Sequence, residues 1–233
     1  QDIIIDAEVT LKGCQLAIEA DRTITVTSNG HLIIKNDGIQ NSHLFACGNM
    51  WEGILVEPGG QLTIDGNTGG GSKRGTLIEG AKTAITVDGG MLELKFSEFN
   101  HNYMAVLLKN DPDQASYIFG CNFKCTDEQI GKTPYVEYFP LEHIRLENVT
   151  NFQFPIGYST GGTGNKNYFY DAYTAINLVN SKALIQRNYF FDIYNKNGFY
   201  HSNSYGQAIN IDYRSSASTL PLTAIIGGEG ANE

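Results

Sequence analysis

Apolar residues recur along this chain at a long period. Ile24, Ile54, Ile85, Val106, Ile130, Ile156, Ile176 and Ile209 stand 30, 31, 21, 24, 26, 20 and 33 residues apart. Most follow a small residue (Gly53, Ala84, Ala105, Ala175, Ala208). Most are followed two positions later by a second apolar one: Val26, Val56, Val87, Leu108, Tyr158, Leu178, Ile211. Alternation of this kind marks a half-buried strand, and its return every 20–33 residues predicts one solenoid coil per period. A second column, Ile78, Phe99, Phe123, Val149, Phe169 and Phe190, lies seven residues ahead of the first. Residues one coil apart stack at the strand spacing of about 4.8 Å, so the two columns predict aliphatic and phenylalanine ladders inside the solenoid.

Strands within a coil are joined by corners. Gly53 to Ile64 aligns with Ala84 to Leu94 through a single deletion in the turn, and Thr23 to Ile34 fits the same frame with Asn29-Gly30 at the corner. Glycine and asparagine tolerate the positive φ that tight corners demand. Two such strands plus the phenylalanine element give three short strands per coil. The expected fold is therefore all-β, a right-handed parallel β-helix of about eight coils forming one domain over residues 1–233. Residues 1–20 are expected to cap its start, with Val9 to Ile18 as the cap. The pattern stops in mid-coil near Ile225, so residues 227–233 are expected to leave an open end, in a fragment or under a partner's cover.

Trp51-x-Gly53-Ile54-x-Val56 followed by Gly60-x-Leu62-x-Ile64 resembles the pectin-lyase-like superfamily, and within it the β-helix repeats of secreted bacterial cell-surface proteins. The resemblance covers roughly residues 20 to 226 and implies a secreted or cell-surface module. Its role would be structural or adhesive, with carbohydrate binding; the alternative it implies is a polysaccharide lyase or glycoside hydrolase. Polygalacturonase-like members carry Asn-Thr-Asp, Asp-Asp, Gly-His-Gly and Arg-x-Lys motifs. Lys35-Asn36-Asp37-Gly38 is a partial echo of the first, and the other three are absent from this sequence.

Charge narrows the partners. A net charge of −9 and a pI near 5.0 disfavour a nucleic-acid surface, which needs clustered Lys and Arg. No apolar run approaches the roughly 20 residues of a membrane helix, so no membrane insertion is expected. Any export signal is expected to have been removed already. Cys14, Cys47, Cys121 and Cys125 are either buried thiols or bridged, and Cys121-x-x-x-Cys125 lacks the second pair a zinc site requires.

Register then nominates chemistry. Two positions after the phenylalanine column come Gly80, His101, Cys125, Asn151, Asp171 and Asp192, which puts Asp171 and Asp192 one coil apart. A carboxylate pair at about 5–5.5 Å suits a retaining glycosidase, and stacked Asp oxygens also suit Ca²⁺; no other metal or cofactor is expected. The plainer reading is a pair of turn caps. Arg187 completes the catalytic candidates. Tyr168 is expected to stack on Tyr189 and Tyr173 on Tyr194, with Tyr170 beside Asp171. Tyr200 and His201 sit in an aromatic-rich loop, so Tyr170, Tyr173, Tyr189, Tyr194, Tyr200 and His201 are the candidate ligand contacts, for a polysaccharide or another part of a larger surface protein.

Overall fold

The computed structural model describes residues 1–67, 75–113, 115–125, 130, 132–136, 138–150, 154–157, 166–193, 206–212 and 224–226. Among them there is no helix. Strands follow one another coil by coil. Coil 1 holds β1 (Ile3–Ile5), β2 (Glu8–Lys12) and β3 (Gln15–Glu19); coil 2 holds β4 (Thr23–Val26), β5 (His31–Lys35) and β6 (His43–Cys47). Coil 3 holds β7 (Gly53–Val56), β8 (Gln61–Asp65) and β9 (Thr76–Glu79); coil 4 holds β10 (Thr83–Asp88), β11 (Met91–Lys95) and β12 (Ser97–Asn100). Coil 5 holds β13 (Met104–Lys109), β14 (Tyr117–Phe119) and β15 (Asn122–Lys124); coil 6 holds β16 (Glu142–Glu147), β17 (Phe154–Ile156) and β18 (Asn167–Tyr170). Coil 7 holds β19 (Thr174–Val179), β20 (Ala183–Ile185) and β21 (Asn188–Phe191), and β22 (Gln207–Asp212) and β23 (Ala224–Ile226) belong to coil 8.

Every third strand joins the same sheet. Sheet A runs β1-β4-β7-β10-β13-β16-β19-β22, sheet B runs β2-β5-β8-β11-β14-β17-β20-β23, and sheet C runs from β3 to β21 in steps of three. All the pairings are parallel, so the chain is a three-faced parallel β-helix of about eight coils. Residues 1–20, expected as a cap, hold β1, β2 and β3, which supply one strand to each sheet and form a first coil like the rest.

Two ladder positions are corrected by the register. The sheet A column is Ile3, Ile24, Ile54, Ile85, Val106, Ile144, Ile176, Ile209; neither Ile130 nor Ile156 belongs to it. Coil 5 carries an insertion, so the step from Val106 to Ile144 is a long one. Ile130 lies in that insertion, bridged antiparallel to Tyr138 and buried in a small cluster with Met50 and Cys125. Tyr135 of the insertion stacks on Tyr103 at 3.6 Å, and Lys132 donates to the Gly48 carbonyl at 2.9 Å, which straps the insertion across earlier coils. Ile156 stacks instead in sheet B, between Ile118 and Ile185. Leu146 takes the place expected for Tyr158, which lies outside the described residues.

The phenylalanine column is likewise longer and cleaner than expected. It reads Leu16, Leu44, Ile78, Phe99, Phe123, Phe169, Phe190, without Val149. Val149 is buried at a corner, where its N–H donates to Ser181 Oγ. Rings in the column stack at 5.1 Å (Phe99 on Phe123), 4.9 Å (Phe123 on Phe169) and 5.3 Å (Phe169 on Phe190). No coil could bury such side chains alone, so each rung is stabilised by its neighbours.

Corners are left-handed turns. Between sheets A and B the positive-φ positions include Asn110, Asn148 and Asn180, and between sheets C and A they include Gly80, His101, Asp171 and Asp192. A side chain in this region costs about 1–2 kcal/mol unless, as for Asn and Asp, it bonds locally. At Gly53 the reason is space: a Cβ there would lie 1.7 Å from the Thr83 carbonyl oxygen. The small residues noted ahead of the ladder, Gly53, Ala84, Ala105, Ala175 and Ala208, form the column in which strands of adjacent coils come into sheet A.

Candidate functional site: the outward face of sheet C

The strands Asn167–Tyr170 and Asn188–Phe191 read Asn-Tyr-Phe-Tyr and Asn-Tyr-Phe-Phe, one coil apart. Period-2 alternation turns Phe169 and Phe190 inward and Tyr168, Tyr170, Tyr189 and Phe191 outward. The asparagines lie buried at the preceding corner, where Asn167 Nδ2 donates to Asn188 Oδ1 at 2.9 Å. Outside, Tyr168 stacks on Tyr189 at 5.2 Å and Tyr170 on Phe191 at 4.9 Å, with interplanar angles of 20° and 11°. The two stacks run side by side, 6.5 Å apart at Tyr168–Tyr170 and 6.1 Å at Tyr189–Phe191. The result is a two-by-two array of near-parallel rings. Stacked faces cover one another, so the rings turn their edges outward; Phe191 keeps 42% of its surface exposed. Lys166 closes one side, with its ammonium bonded to the Tyr189 hydroxyl and 4.0 Å above that ring.

The expected Tyr168–Tyr189 stack is present, and Tyr170 has Phe191 as its partner. Tyr173 is half-buried just before β19, and its N–H donates to the Pro140 carbonyl. Its expected partner Tyr194 lies outside the described residues, as do Tyr200 and His201.

Asp171 and Asp192 follow the two aromatic strands at the corner to sheet A. Both have φ above 50°, the conformation of Gly80 and His101 at the same corner of earlier coils. Asp171 is half-buried and Asp192 exposed. Arg187 does not reach them. It occupies a left-handed corner at the opposite end of β21, five residues before Asp192, a run of about 16 Å in an extended strand. Its Nε is buried without a partner in the structure. Among the described residues no group of three or more His, Cys, Asp or Glu is placed to hold a metal ion. All four cysteines are thiols, Cys121 and Cys125 buried, Cys14 half-buried and Cys47 exposed.

A second polar group, on the outward face of sheet A, carries no sequence signal beyond Glu142-His-Ile-Arg-Leu-Glu147. Arg145 bonds Glu142 at 3.2 Å and Glu147 at 2.6 Å, while Asn177 donates to Glu142 at 2.7 Å and accepts from Asn210 at 2.9 Å. Burial pushes the Glu142 carboxyl above its usual pKa, against the pull of Arg145 and Asn177. These groups satisfy one another, and the arrangement reads as a buried polar brace across coils 6 to 8. A shallow opening of about 210 Å³ on the same sheet lies further back, between Thr23, Glu52, Leu55 and Thr86 of coils 2 to 4. It is remote from both Asp171 and the ring array.

Beside Glu142, His143 points inward. Coil 6 thus places an imidazole in the column where other coils have Gly53, Ala84, Ala105 or Ala175. No protein-family model, no curated protein and no solved structure matches this chain.

Proposed function

We propose that this chain is a β-helical module of a secreted or cell-surface protein, structural or adhesive in role, that binds carbohydrate on the outward face of sheet C in coils 6 and 7. The observation that carries the reading is the array of Tyr168, Tyr170, Tyr189 and Phe191. Tyrosine joins apolar area to a hydrogen-bonding tip and loses little entropy on contact, which suits the mixed apolar and hydroxylated surface of a sugar chain. Two parallel ring rows running along the solenoid axis favour a chain segment lying across coils 6 and 7. The surface placement, and membership of the pectin-lyase-like superfamily, rest on the resemblance at Trp51 to Ile64 and on the parallel β-helix itself.

Module rather than enzyme is favoured by the position of Arg187, the basic candidate, at the opposite end of β21 from Asp192. The test is retention on insoluble cellulose, xylan and mannan, with soluble products analysed in parallel. The protein is expected to be retained by at least one polysaccharide and to lose retention at least ~10-fold when Tyr168 and Tyr189 are both changed to Ala, since two aromatic contacts at about 0.5–1.5 kcal/mol each come to about the 1.4 kcal/mol of a tenfold change. Reducing ends or unsaturated products that vanish in Asp171→Asn or Asp192→Asn would establish the enzyme instead.

A further inference from the structure

The aromatic face is held from inside by one titratable side chain. His143 is 2% exposed, with Phe123 and Phe169 ring centroids 6.0 and 6.1 Å from its own. Its Nε2 lies 2.6 Å from the backbone carbonyl of Tyr170, the residue that ends β18 and stacks outside on Phe191. A carbonyl only accepts, so Nε2 carries the proton and Nδ1 is bare in the neutral ring.

Among the described residues nothing charged faces this imidazole. β15 presents Phe123, β18 presents Phe169, and the flanking rungs of sheet A present Ala105 and Ala175. The ionisable groups on those elements are engaged elsewhere: Glu142 with Arg145 and Asn177, Glu147 with Arg145, Lys124 with Glu98, and Lys109 with Asp88. Asp171 lies at the corner beyond Tyr170, and the Cys125 thiol is buried with Met50 and Ile130. Burial pulls the His143 pKa down to about 4, with only the Tyr170 carbonyl acting the other way. A second proton would therefore enter a phenylalanine core in which, among the described residues, no carboxylate receives it.

We propose that His143 is a proton-operated pin for the aromatic face: as the neutral imidazole it anchors the end of β18 through Tyr170, and its protonation releases that strand and weakens carbohydrate binding. The second half rests on the carbohydrate reading above; the first does not. Hydrogen exchange, corrected for its chemical pH dependence, separates them. Residues 167–170 are expected to open at least ~10-fold more often at pH 4.5 than at pH 7, while β10 in coil 4 stays unchanged. His143→Gln, which keeps a donor without titrating, is expected to abolish the difference; His143→Ala, which installs the alanine of coils 5 and 7, is the second variant. An equal rise in both variants, or no rise in the unmodified protein, overturns the pin. Retention on cellulose, xylan or mannan should fall by about a quarter from pH 7 to pH 4.5 in the unmodified protein, the share of the imidazole protonated there, but not in His143→Gln. Loss at pH 4.5 in every variant overturns the coupling, whereas failure of all three polysaccharides at pH 7 defeats the carbohydrate reading and leaves exchange to decide the pin.

Discussion

Coils 1 to 5 and coils 6 to 8 share an interior and differ outside. In the first group many outward rows join polar and charged neighbours, with apolar ones such as Leu55, Leu107 and Phe119 among them: Gln15, His43 and Glu79 bond in a row, Thr63 bonds Glu93, and Lys95, Lys109 and Lys124 pair with Asp65, Asp88 and Glu98 of the preceding coil. In the second, the matching rows of sheet C are Tyr168–Tyr189 and Tyr170–Phe191, and sheet B turns Pro155 and Leu184 outward. The difference teaches where this fold is free. Inward columns must be apolar in every coil because neighbours bury them, whereas an outward neighbour about 4.8 Å away can be matched by an opposite charge or by a second ring.

Breaking the shared interior should have the largest effect, and a similar one in either half. Phe123→Ala and Phe169→Ala each remove a fully buried ring stacked on both sides, and each should cost about 3–5 kcal/mol by chemical denaturation. Phe190→Ala should cost less, because Phe190 is only partly buried.

Acid should separate the halves. The folded-state pKa of His143 is depressed to about 4, so between the unfolded value of 6.5 and about 4 the unfolded chain takes up a proton that the folded chain refuses. Stability present above pH 6.5 is therefore lost as pH falls through this window. The loss is about 3.5 kcal/mol, from a fall of about 2.5 in pKa at about 1.4 kcal/mol each. Glu142 acts in the opposite sense: its raised pKa makes the folded state bind a proton more readily, which favours folding below that pKa and offsets part of the loss. Urea midpoints at pH 7 and 4.5 should converge in His143→Gln, while the fluorescence of Trp51, buried in coil 3, should not track the early change in coil 6.

Smaller effects test the outer rows themselves. Tyr189→Ala removes a stacked ring and the seat of Lys166, and should cost about 1 kcal/mol with little dependence on salt. Lys82→Met removes the ammonium that bonds Asp21 and Glu52, groups 73% and 43% exposed, and should cost about 0.2–1 kcal/mol, diminishing at high salt. Asp192→Asn should change stability by less than ~0.5 kcal/mol, because asparagine also accepts the left-handed corner, whereas Asp192→Val should cost about 1–2 kcal/mol. Equal losses in the two would show that the carboxylate, not the backbone, matters there.

Most of the fold was legible because inward residues repeat. The Ile and Phe columns predicted strands, direction of stacking and coil number from spacing alone. The reading failed at Ile130, Ile156 and Val149 for one reason: an insertion of its own small core, Met50, Cys125 and Ile130, mimics a ladder step at the spacing of a coil. The candidate site was half legible. Tyr168 over Tyr189 followed from register, but register cannot show that Asp171 and Asp192 occupy left-handed corners or that Arg187 stands at the far end of the strand.

By itself the sequence determined a parallel β-helix, since alternation within strands and recurrence between them leave one way to bury the apolar residues. Tertiary structure decided the rest: which coil holds the insertion, which corner carries which backbone twist, and that His143 lies inside under Tyr170 while Glu142 beside it faces out. Those outcomes depend on contacts between residues 27 to 35 positions apart, as His143 is from Tyr170 and Glu142 from Asn177, and a local pattern does not encode them.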